Sequence, residues 1–142
     1  MQPIEINYLA VLVATFSSVV LGSLWYGPIF GKPWMKMMGF KKQDMDAMAK
    51  KEVAKSYVLM MLGSLVMAFV LAHSLIFASA YLQIEGISAG LMAGLWNWLG
   101  FVAPTTMGSV LWEGKPWKLW MINSGFYLVS LSVMGVILAV WS

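Results

Sequence analysis

Four long apolar runs separated by short polar segments constrain the fold of this chain more than any other feature. They comprise residues 7–26, 56–82, 89–112 and 119–141. A helix needs about 20 apolar residues to cross the hydrocarbon of a bilayer, and backbone amides in hydrocarbon must bond within their own segment. The sequence therefore predicts an all-α fold: a transmembrane four-helix bundle that forms one integral membrane domain over residues 1–142.

The composition supports this class and excludes several others. Hydrophobic residues make up 61% of the chain and charged residues 11%, which is far from the balance of a soluble domain. The absence of cysteine excludes disulfides, thiolate nucleophiles and thiolate-held metal clusters. No folded basic surface is expected either, so the sequence predicts no nucleic-acid partner. The single histidine has no mid-membrane carboxylate beside it, which is too few ligands for a metal, and no cofactor is predicted.

The lysines are distributed very unevenly. All nine lie in two loops, seven between the first and second runs and two between the third and fourth. By the positive-inside rule both loops face the cytoplasm and both termini lie outside, which predicts a multi-pass protein of the cytoplasmic (inner) cell membrane. The first loop is either a short basic segment that only sets topology or a helix on the inner leaflet, because apolar residues alternate with lysines at Met38, Met45, Met48 and Val53.

Small residues recur at four-residue spacing on three of the runs, including Ser64, Ala68 and Ala72 in the second. The residues expected to pack helices together are Ser18 and Gly22 in the first run, and Gly90 and Gly94 in the third. Such stripes allow close backbone approach between helices in lipid, where no hydrophobic drive assists association. They exceed what one four-helix bundle requires, so we expect a homo-oligomer, with packing inside a single bundle as the alternative.

Two polar side chains lie deep in neighbouring runs. His73 is nine residues from Leu82 and Asn97 nine residues from Ser88, so both lie about 13 Å below the outer surface. Trp96 and Trp98 flank the asparagine. The sequence allows two interpretations: a hydrogen bond that holds two helices together, or a small-molecule or proton site walled by His73, Asn97, Trp96 and Trp98.

Two aromatic segments lie at the lysine-bearing side, "LGSLWYGPIFGKPW" from Leu21 and "WEGKPW" from Trp112. In one interpretation Gly27 and Pro28 end a helix while the aromatic rings anchor at headgroup depth. In the other, the first segment folds back under the bundle and builds an inner-face pocket with the second. The candidate residues of that pocket are Trp25, Tyr26, Glu113, Asn123 and Tyr127.

These segments also carry a family resemblance. "LGSLWYGPIFGKPW" near the start and "LWEGKPWKLWMINSGFYLVSLSVMGVILAVW" at the end resemble the small bacterial and fungal membrane proteins of the domain-of-unknown-function family 1761. The resemblance covers almost the whole chain. It implies a four-span membrane protein and brings no established activity.

Three functional classes follow in order. The sequence favours an oligomeric small-molecule or ion transporter or channel, because the polar groups are few, internal and layered. A scaffold or regulatory subunit that binds lipid or other membrane proteins is the alternative. A membrane enzyme ranks third, since no nucleophile, acid–base pair, phosphate loop or cluster of metal ligands is evident, and we assign no catalytic residue. Besides the bilayer, the partners expected are a second copy of the chain and an unidentified small ligand.

Overall fold

The computed structural model describes residues 5–141, and this part of the chain is helical throughout apart from short connections. Two π-helical turns, Trp25–Ile29 and Trp98–Val102, interrupt the first and third spans. The α-helices are α1 (Tyr8–Leu24), α2 (Gly31–Met38), α3 (Lys42–Asp46), α4 (Lys50–Leu82), α5 (Gly86–Asn97), α6 (Ala103–Thr106), α7 (Gly108–Leu111) and α8 (Trp117–Val140).

Four helical segments are long and apolar enough to cross a membrane. They are Tyr8–Ile29, Lys50–Leu82, Gly86–Leu111 and Trp117–Val140. The prediction of an all-α bundle with four spans is therefore confirmed. The second span begins at Lys50, six residues before the start expected from hydropathy.

The four spans alternate in direction, which separates the loops into two groups. Both lysine-bearing loops lie at one end of the bundle, which we call the lysine end. The connection between α4 and α5 lies at the opposite end, the terminus end. There the Asn7 side-chain amide donates a hydrogen bond of 2.7 Å to the Trp141 carbonyl, so the start of α1 is fixed beside the end of α8.

The tightest helix contact joins α5 to α8 near the terminus end. Gly90 and Gly135 place their backbones against each other, and a Cβ atom on either glycine would overlap the other backbone. One turn further, a Cβ atom on Gly94 would lie 2.7 Å from the Leu131 carbonyl oxygen. Close approach of this kind is what small residues provide between helices in lipid.

Buried serine hydroxyls join three of the spans at the centre of the bundle. Ser130 of α8 lies 2.9 Å and Ser64 of α4 lies 3.4 Å, oxygen to oxygen, from the Ser18 hydroxyl of α1. One turn along α1, the ring of Phe126 covers Gly22.

All four predicted packing residues, Ser18, Gly22, Gly90 and Gly94, therefore pack inside one chain. Homo-oligomerisation stays a prediction, and it would need a surface other than these stripes.

The lysine-rich loop is divided into short helices. Gly39 ends α2 with a φ of 75°, a left-handed conformation that favours glycine. Helix α3 follows, and α4 starts at Lys50. The loop thus contains two short helices and the first turns of α4.

Candidate functional site

A cavity of about 700 Å³ opens at the lysine end between α2, α6, α7 and α8. We call it the polar cavity, since hydroxyl, amide and carboxylate groups line it together with aromatic rings. Its lining residues are Tyr26, Trp34, Met38, Thr105, Thr106, Gly108, Ser109, Glu113, Trp120, Asn123 and Tyr127.

The first π-helical turn places Tyr26 in this cavity. The Phe30 N–H donates to the Trp25 carbonyl, five residues back, at 2.8 Å, and the turn contains Pro28, which has no N–H to donate. The Tyr26 hydroxyl donates a hydrogen bond of 2.9 Å to the Asn123 side-chain oxygen. This hydrogen bond therefore joins the first span to the fourth span at the wall of the cavity.

Helix α2 folds back directly after this turn and supplies a second wall. A Cβ atom on Gly31 would lie 2.6 Å from the Tyr26 carbonyl oxygen, so the return of the chain requires glycine here. One helical turn later, the Trp34 ring contacts the Tyr26 ring edge-on, with ring centroids 5.5 Å apart. The sharp turn thus brings the rings of Tyr26 and Trp34 into contact at one side of the polar cavity.

The third span closes the opposite wall through a break at Pro104. The proline cannot donate a backbone hydrogen bond, and the second π-helical turn precedes it. The hydroxyls of Thr105 and Thr106 donate to the carbonyls of Phe101 and Val102. The Trp120 indole N–H in turn donates to the Thr106 hydroxyl at 3.0 Å. These side-chain hydrogen bonds hold the broken segment beside the cavity.

A second cavity of about 610 Å³ adjoins the first one toward the middle of the bilayer. We call it the apolar cavity. Its lining residues are Val66, Met67, Val70, Leu71, Asn97, Phe101, Val102, Thr105, Thr106, Tyr127 and Leu131. Val70 is 54% and Phe101 74% exposed, so this cavity opens sideways toward lipid. The two cavities share Thr105, Thr106 and Tyr127, and together we call them the cleft.

Comparison with known proteins places the chain in a family. The family described as "Protein of unknown function (DUF1761)" matches residues 9–139, nearly the full length. The chain belongs to this family. No curated protein and no solved structure matches it significantly.

In this DUF1761 protein, four of the five residues expected at an inner-face pocket line the polar cavity. They are Tyr26, Glu113, Asn123 and Tyr127. Trp25 does not line it. Its indole N–H donates to the Ile122 carbonyl at 2.9 Å, and its ring lies over Gly125. Trp25 therefore anchors the first span on α8.

The structure gives His73, Asn97, Trp96 and Trp98 different surroundings. The His73 Nδ1 atom lies 2.8 Å from the Phe69 carbonyl of its own helix, and Asn97 donates to the hydroxyl of Ser74, the residue after His73, at 2.8 Å. Trp96 is 60% exposed, whereas the Trp98 indole donates inward to the Ser124 carbonyl.

The physical reason is the helical period. Successive residues rotate by about 100° around a helix, so Trp96, Asn97 and Trp98 point in three directions. The shared wall predicted for these side chains is corrected accordingly: Asn97 links α4 to α5 through Ser74 and lines the apolar cavity.

The candidates predicted from the sequence did not include several residues that line the polar cavity, among them Trp34, Thr105, Thr106 and Trp120. A signal for two of them was present. A proline followed by two threonines within a membrane span indicates a broken helix, which is tolerated where it borders a cavity. Among residues 5–141, no group of three or more His, Cys, Asp or Glu side chains comes together as metal ligands would.

Proposed function

We propose that this membrane protein is a carrier that takes up an amphiphilic small molecule in the cleft. The observation that supports the proposal is the junction of the two cavities at Thr105, Thr106 and Tyr127. A polar head fits the polar cavity, and an apolar tail fits the apolar cavity beside the lipid. Each cavity has the volume usual for small-molecule sites.

The direction of access follows from the lysines. If the lysine end faces the cytoplasm, as the positive-inside rule predicts, the cleft takes its ligand from the cytoplasm or the inner leaflet. At the terminus end the contact between Gly90 and Gly135 leaves no space between α5 and α8. This arrangement fits a carrier open on one side better than a channel.

Two broken helices beside the cleft also support a carrier. The π-helical turns at Trp25–Ile29 and Trp98–Val102 adjoin its walls. Such turns are frequent at functional sites, and interrupted helices form the binding sites of many transporters.

A scaffold or regulatory role is the second candidate, because the first part of α4 has little packing around it. Residues 50–63 are exposed apart from the half-buried Val53. In this alternative a membrane partner covers that surface. Leu59→Trp would then weaken the complex, whereas a change in the cleft would not.

Photolabelling in nanodiscs tests the carrier proposal. A dodecyl amphiphile that bears a diazirine on its tail is expected to label residues of the apolar cavity, and Val70→Trp should reduce this labelling at least about tenfold because the larger indole obstructs the opening of the cavity. The matched control is Val20→Trp, since Val20 is similarly exposed, at 58%, but lines neither cavity. Equal labelling of both variants and the original protein would contradict the proposal.

A further inference from the structure

The polar cavity combines one carboxylate with four aromatic side chains. Among residues 5–141, Glu113 is the only charged residue in its lining, and the rings belong to Tyr26, Trp34, Trp120 and Tyr127. The faces of such rings carry negative electrostatic potential and attract cations, most strongly those with weak hydration. We infer that the head group bound here is an organic cation of the alkylammonium class. The inference rests on the proposed function and specifies its ligand.

The aromatic side chains are held in place before any ligand arrives. Tyr26 is fixed by its hydrogen bond to Asn123 and Trp120 by its hydrogen bond to Thr106. Trp34 is packed between Tyr26 and Phe40, with ring centroids 5.5 Å and 5.7 Å away. Rings fixed in this way lose little conformational freedom on binding, which favours affinity.

The lysines do not oppose this assignment, because none of them lines either cavity. Lys32 and Lys36 are exposed on α2, and Lys118 is exposed at the start of α8. Exposed lysines at a membrane surface attract anionic lipid headgroups. An anionic head inside the cavity would instead meet the Glu113 carboxylate among aromatic side chains, so charge complementarity favours a cation.

Three probes with one tail and different heads test the inference. Tritiated dodecyltrimethylammonium, dodecyl sulfate and dodecyl maltoside are each titrated against the protein in phosphatidylcholine nanodiscs, and binding to empty nanodiscs is subtracted. We expect the ammonium probe to bind at least about tenfold more tightly than the other two. Val70→Trp should weaken whichever probe occupies the cleft.

The outcomes separate this inference from the proposed function. Equal binding of all three probes, or tighter binding of dodecyl sulfate, overturns the cationic head group and leaves the amphiphile cleft in place, provided that Val70→Trp abolishes that binding. Binding that never exceeds the empty nanodiscs, or that Val70→Trp leaves unchanged, overturns the proposed function itself.

Two variants locate the cation within the polar cavity. Trp34→Leu removes one ring face and should weaken ammonium binding about tenfold, whereas the matched Trp34→Phe keeps a ring and should weaken it far less. Glu113→Gln should weaken it about two- to fivefold, because the carboxylate is exposed and screened.

Binding of dodecyl maltoside to the same preparations reports whether each variant is folded. If Trp34→Leu and Trp34→Phe weaken ammonium binding equally, or if Trp34→Leu weakens both probes to the same extent, the ring has a structural role and the inference is wrong.

Discussion

At the scale of single residues, glycine and serine determine how closely the spans approach. Gly90 and Gly135 bring the backbones of α5 and α8 into direct contact, and Ser18 joins α1 to α4 and α8 through hydroxyl groups. Gly63 occupies a helix in the same membrane, yet a Cβ atom there would meet nothing within 4 Å. Gly90 is therefore needed for close helix packing, whereas Gly63 is not, although both lie in similar apolar sequence.

This difference makes a prediction about stability. Gly90→Ala should lower the free energy of unfolding by about 1–3 kcal/mol, because its methyl group overlaps the Gly135 backbone and forces the helices apart. Gly63→Ala should leave it unchanged or raise it by up to about 1 kcal/mol, since alanine is the better helix former. Thermal or denaturant unfolding in one detergent measures both. A Gly90→Ala protein as stable as Gly63→Ala would contradict the packing described.

At the scale of elements, each broken span begins its π-helical turn with a tryptophan that bonds to α8. The Trp25 indole donates to the Ile122 carbonyl and the Trp98 indole to the Ser124 carbonyl. The two anchors hold α8 from neighbouring positions two residues apart. Each π-helical turn starts at one of these tryptophans. The residues that follow each tryptophan therefore leave the line of their span and form walls of the cleft.

The break in the third span makes a prediction about the cleft. Pro104→Ala restores an amide donor and should straighten the helix, which moves Thr105 and Thr106 away from Trp120. We expect tail labelling in the apolar cavity to fall several-fold while the free energy of unfolding stays equal or rises. Pro33→Ala, at an exposed proline in the first turn of α2, is the control and should change neither. Unaltered labelling of Pro104→Ala would show that the break does not shape the cleft.

Hydropathy and small-residue spacing were sufficient to predict the spans and the packing stripes, because both depend on local sequence. The cleft depends on three segments that converge only after folding, and Trp34, Thr106 and Trp120 share no periodic pattern. The positions of His73 and Asn97 along their helices could be predicted from the sequence. The directions in which their side chains point around the helix axes could not. Ser74 rather than His73 therefore received the hydrogen bond from Asn97.

At the scale of the whole molecule, the bundle has a polar, loop-rich end and a closed end. The lysine end carries all nine lysines and the polar cavity. The terminus end carries the hydrogen bond between Asn7 and Trp141 and the glycine contact between α5 and α8. By the positive-inside rule, this uneven distribution of lysines predicts that the chain inserts in one orientation, with the lysine end in the cytoplasm.

This asymmetry predicts which side of the membrane each loop reaches. Because the chain has no cysteine, Gln43→Cys in the lysine-rich loop and Glu85→Cys in the opposite turn each introduce one reactive thiol while keeping every lysine. In intact cells a membrane-impermeant maleimide should label Glu85→Cys, and Gln43→Cys only after permeabilisation. The reverse pattern would place the cleft on the outer side.

The backbones of α5 and α8 are closest at the contact between Gly90 and Gly135, so a tilt between the two helices would turn about that point. Asn123 lies twelve residues before Gly135 on α8, so the distance along α8 from this contact to the polar cavity is about 18 Å. A rotation of α8 by about 10° around the glycines would move Asn123 by about 3 Å. The indole hydrogen bonds of Trp25 and Trp98 hold α8 on both sides of Asn123 and oppose such a rotation, so the width of the cleft depends on these two bonds together with the glycine contact at the closed end.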